Sequence, residues 1–117
     1  MKDESQTLTY KGKDYKLVFN LNVMEAIQEE YGSIDKWGQL TGSEGEEPNA
    51  KAVIFGFTQM LNEGIDISNE ENGTEEKPLT LKQVGRLLTD FGMDKAGEKL
   101  ASAVSKSTKT GNETKNA

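Results

Sequence analysis

The chain has 117 residues, 33% of them hydrophobic and 29% charged, with a net charge of −6 and neither cysteine nor histidine. One modest core fits that length, and the acidic balance disfavours a general nucleic-acid binder, which needs surplus Lys and Arg on one face. Without Cys or His there is no disulfide, no thiolate or imidazole metal ligand, no thiol nucleophile and no imidazole base.

The opening MKDESQTLTY lacks the apolar stretch of a secretory signal, and no run approaches membrane-spanning length, so a cytosolic protein is expected. The sequons at Asn72 and Asn112 are then accidental. Residues 1–6 are read as disordered, 7–104 as a single domain and 105–117 as a disordered polar tail.

Residues Thr7 to Phe19 predict a β-hairpin: Leu8 and Tyr10 alternate with threonines, Tyr15, Leu17 and Phe19 with Lys16 and Val18. Gly12-Lys13-Asp14 reads as the turn, with Gly12 free to take positive φ. Two strands alone are marginal in water, so the face of Tyr10, Tyr15, Leu17 and Phe19 must lie on helices or on another chain. A helix follows, with Asn22 as cap and Glu25 as capping-box partner; Val23, Met24, Ile27 and Tyr31 form its inward stripe and Gly32 ends it. Ser33 opens a short helical stretch through Trp37 and Leu40, stopped by Gly42. Trp37, the only tryptophan, is either buried structure or a binding anchor.

After a polar loop, Thr41 to Pro48, comes the most apolar run of the chain, AKAVIFGFTQML from Ala50 to Leu61. At about 100° per residue, Ala50, Val53, Ile54, Phe57, Met60 and Leu61 share one side, the signature of a buried helix face. Asn49 caps this central helix and Gly64 is its expected exit. Phe55 points off the stripe, toward Lys51, Thr58, Gln59 and Asn62. It is covered by the hairpin or by the following loop, or else it meets a partner. The acidic stretch GIDISNEENGTEEKP reads as a long mobile loop. Thr80 then caps a helix with Gln83 in the box position; its stripe is Leu81, Val84, Leu87, Leu88 and Phe91, and Gly92 closes it. A last, weaker helix spans about Asp94 to Val104 with Ala96, Leu100 and Val104 inward. The fold class is therefore mainly α with a small N-terminal β-hairpin, an α+β arrangement of about five helices around a central one.

Chemistry is hard to place on this chain. Glu29 and Glu30 are neighbours on a helix and point apart. Gly12-Lys13 lacks the upstream glycine and the following Ser or Thr of a phosphate loop. The run from Ser68 through Glu70, Asn72 and Gly73 imitates a calcium loop but has Ser68 where Asp belongs and Leu79 where the bidentate Glu belongs. The expectation is a non-enzyme with no catalytic, cofactor or metal residues. Four residues are candidates for binding a partner: Phe55, the hairpin tyrosines Tyr10 and Tyr15, and Trp37.

Taken in order, YKGKDYKLVFNLNVMEAIQEEYGSIDKW, the apolar central helix, the acidic loop and the LTLKQVGRLL helix resemble the tail assembly chaperones of long-tailed bacteriophages and related prophages. The likeness covers about residues 7–104, and its motifs (a GK-x-Y-x-L-x-F hairpin, an Asn, a helix with a Glu, then Gly) are structural rather than catalytic. The resemblance implies a small helical domain working in the host cytoplasm and missing from the mature virion. Such chaperones coat the tape measure protein and recruit tail tube subunits, and many occur in two lengths through a programmed frameshift. Their motifs carry no residue-level binding site. Self-association is a further option among partners; nucleic acid and membrane are not expected. The rival readings are a structural tail protein, of tube or completion type, and an unrelated acidic helical adaptor.

Overall fold

The computed structural model describes residues 7–42 and 47–116, with side chains described as far as Ser105. Two strands, β1 (Thr7–Tyr10) and β2 (Lys13–Lys16), pair antiparallel with Tyr10 opposite Lys13. The turn is therefore Lys11-Gly12, with φ of 52° and 78°, the primed geometry that matches strand twist. This corrects the expected Gly12-Lys13-Asp14 turn: Lys13 and Asp14 belong to the ladder, where the Thr9 hydroxyl donates to Asp14 at 2.6 Å. Alternation sends Leu8, Tyr10, Tyr15 and Leu17 toward the helices, and Leu8 and Leu17 are fully buried.

The first helix, α1 (Leu21–Tyr31), starts earlier than expected. Its cap is Asn20, whose side chain accepts from the Val23 amide, and not Asn22 with Glu25. Asn22 sits in the first turn instead, and its amide joins that of Asn20 in donating to the Glu63 carboxylate at 3.0 and 2.8 Å. Gly32, at φ 93°, ends α1 as foreseen. Ser33 caps α2 (Ile34–Leu40), whose one buried side chain is Trp37.

The organising element is α3 (Ala50–Asn72), which packs against β2 and the other four helices described. It does not stop at Gly64 but continues to Asn72, with Gly73 in the left-handed conformation closing it. More than half of the acidic stretch taken for a mobile loop is thus helix. Gly64 is needed for a different reason: a Cβ there would lie 2.6 Å from the Lys16 carbonyl oxygen, so its absence lets β2 cross the helix in backbone contact. Next to this crossing the Val18 amide donates to the Met60 carbonyl at 3.3 Å. Burial on α3 is wider than the predicted stripe, adding Ala52, Gly56, Thr58 and Ile65, as expected for a helix touched on two sides; Ala50 is exposed.

Thr80 and Gln83 form the predicted capping box of α4 (Leu81–Phe91), at 3.1 and 2.8 Å. Val84, Leu87 and Leu88 are buried, but Leu81 is 53% exposed and leaves the predicted stripe. After Gly92 at φ 105° the chain turns directly into α5 (Met93–Asn116), with Ala96, Leu100 and Ala103 against the core and Val104 partly buried. The helix is continuous past the expected end at Val104; disorder over 1–6 falls outside the described residues, as do all side chains of 106–117. The architecture is mainly α with one N-terminal hairpin, five helices being described.

Candidate functional site

The 73–80 connection is sewn to α3 by two asparagines. Asn62 accepts from the Leu79 amide at 2.7 Å and donates to its carbonyl at 2.9 Å. Asn69 does the same for Glu76, accepting from its amide and donating to its carbonyl at 3.0 Å each, and also accepts from the Thr74 hydroxyl at 2.8 Å. Seven residues make about two helical turns, so both amides project from one face of α3. From the hairpin, Lys13 reaches over and pairs with the Glu76 carboxylate.

Lys13 and Glu76 form part of the wall of an open cleft of about 840 Å³ between the hairpin, the C-terminal half of α3, the 73–80 connection and the α4–α5 corner. Tyr15, Leu17, Ile65 and Phe91 supply apolar lining, while Lys16, Ser68, Glu76 and Lys99 make it partly polar. The Lys13 ammonium is held above its usual pKa, chiefly by its hydrogen bond to Glu76. It also lies 5.2 Å from the centre of the Tyr15 ring.

The four candidate partner residues are not brought together. Tyr15 lines the cleft. Tyr10 is partly buried at the hairpin tip, donating to Asp90 of α4 at 3.0 Å, with Lys11 over its ring at 5.4 Å. Phe55 is partly buried at the other end of α3, edge-on to Tyr31 at 5.6 Å, so α1 covers it rather than the hairpin or the acidic stretch. Trp37 is a core residue at 2% exposure: it stacks on Phe19 at 6.4 Å, and its Nε1 donates to the Ala52 carbonyl at 2.9 Å. As a surface anchor Trp37 is therefore corrected to a structural residue.

Sequence reasoning missed Glu76 and Phe91 as cleft residues, and Asn62 and Asn69 as the clamps that hold the 73–80 connection on α3. Their signal was the pair of asparagines seven apart, invisible once the helix was ended at Gly64. Ser68, Glu70 and Asn72 are helical, which removes the calcium-loop geometry. Among the described residues no group of three or more acidic side chains is placed to hold a metal ion, and no helix is long and apolar enough to cross a membrane. The one buried side-chain polar atom without a partner among the described residues is the Tyr31 hydroxyl, whose pKa is raised by burial and secondarily by Glu30. Comparison with known protein families, with characterised proteins and with solved structures found no match.

Proposed function

We propose that this chain is a phage tail assembly chaperone, a non-catalytic protein that binds the tape measure protein in the host cytoplasm and helps recruit tail tube subunits. The observation that carries the reading is the cleft, a partly apolar groove beside the central helix. Such a groove suits recognition of an amphipathic helix, whose apolar side it shields while the partner's polar side stays in water. The resemblance in element order supplies the identity of that partner. Weak binding of many copies along one long protein would add up through multivalency, so no single contact need be tight. A chaperone of this kind leaves before the particle is complete.

Ser68, partly buried on the cleft wall, is the position for a test. Ser68→Arg places a long helix-compatible side chain in the groove. Co-expressed with the tape measure protein, the native chain is expected to co-purify with it and the variant to be lost, with helical circular dichroism unchanged in both. A native chain that ignores the tape measure protein, or that is abundant in purified particles by mass spectrometry, refutes the proposal.

A further inference from the structure

Residues 73–78 are exposed throughout, and the connection buries no apolar side chain before Leu79. It is nevertheless held by three separate grips: Asn62 on the Leu79 backbone, Asn69 on Thr74 and on the Glu76 backbone, and Lys13 on the Glu76 carboxylate. The first two come from α3, under the connection. The third comes from β2, on the far side of the cleft, and both of its partners line the cleft.

We propose that residues 73–78 are a strap across the mouth of the cleft, latched by the Lys13–Glu76 pair and hinged at the Asn62–Leu79 clamp. Residues 73–78 have no apolar side chain of their own packed in the core, so lifting the strap forfeits little of the hydrophobic term that holds the core. What resists is a set of polar contacts that water replaces at small net cost. Lys13 and Glu76 are 50% and 38% exposed, so their pair is weak and screened by salt. Segments with this profile open locally, well below the free energy of global unfolding. Leu79, partly buried against the core, keeps the far end in place. The strap acts on the cleft whatever segment the cleft receives.

Residue-resolved hydrogen exchange on the full chain tests this. Lys13→Glu is expected to speed exchange of the Glu76 amide about two- to fivefold, the range of an exposed ion pair, while the Phe57 and Leu61 amides in the core of α3 keep their rates. The acceptor of the Glu76 amide is Asn69, which this substitution does not touch. Lys13→Glu combined with Glu76→Lys restores the pair with its signs exchanged, and is expected to return residue 76 to the native protection factor. An unchanged Glu76 rate in Lys13→Glu overturns the strap. So does a rise shared by Phe57 and Leu61, or one that the double substitution leaves in place.

Discussion

Gly64→Ala separates two accounts of the central helix by the sign of its effect. If Gly64 were merely a glycine within a helix, alanine would stabilise the protein by about 1 kcal/mol through helix propensity. The structure demands the reverse. The new Cβ would stand 2.6 Å from the Lys16 carbonyl oxygen, 3.2 Å from the Lys16 Cβ and 3.3 Å from its carbonyl carbon. The first of these is backbone and cannot rotate away, so β2 must lift from α3 by about 0.8 Å to reach ordinary contact at about 3.4 Å. Overpacking of this kind costs about 1–3 kcal/mol. The neighbouring Val18–Met60 hydrogen bond, already 3.3 Å long, stretches further, adding about 1 kcal/mol. Setting the propensity gain against these costs leaves a net loss of about 1–3 kcal/mol, or a fall in Tm of about 4–12 °C for a domain of this size. Gly97→Ala is the control: a Cβ there meets nothing within 4 Å, so α5 is expected to gain about 0.5–1 kcal/mol. Thermal and urea unfolding followed by circular dichroism measure both. Equal stabilisation by the two substitutions refutes the backbone contact between β2 and α3.

Two further outcomes follow from the packing. Gly56→Ala drives a Cβ to 2.4 Å from Trp37 Cζ2, an enclosed ring that cannot give way, and is expected to cost about 2 kcal/mol or more. Because Trp37 is the sole tryptophan, the fluorescence maximum should move red in step with the stability loss; an unshifted spectrum argues against the contact. Tyr31→Phe removes the unpartnered buried hydroxyl and is expected to stabilise by about 1 kcal/mol. Since folding raises the Tyr31 pKa, the folded state holds its proton more tightly than the unfolded one. Native stability from this group is therefore complete below the ordinary tyrosine range and declines as pH climbs above it, a decline that Tyr31→Phe should lessen in alkaline urea melts.

Local signals were enough for much of this architecture. The α4 boundaries are written in Thr80, Gln83 and Gly92, because a capping box and a positive-φ exit are satisfied by residues within the same few turns. The hairpin is legible in the alternation of Leu8, Tyr10, Tyr15 and Leu17, and the core of α3 in Val53, Phe57, Met60 and Leu61. A cap choice between Asn20 and Asn22 was not legible, since both can accept a backbone amide, and the Glu63 carboxylate that holds both side chains lies more than 40 residues away. Nor was the length of α3. A glycine in sequence marks either a place where the backbone ends its helix or a place where something approaches it, and only the position of the Lys16 carbonyl distinguishes the two at Gly64.

The cleft belongs entirely to this second category. Asn62 and Asn69 read as ordinary polar residues until the helix carries them, two turns apart, under the backbones of Leu79 and Glu76. Tyr15 and Phe91 are apolar positions in any reading, but that they share one groove depends on how the hairpin and the α4–α5 corner flank α3. Periodicity and capping are short-range and live in the chain itself. Which surfaces are left open between packed elements is a long-range result of their arrangement, and it exists only once the fold has formed.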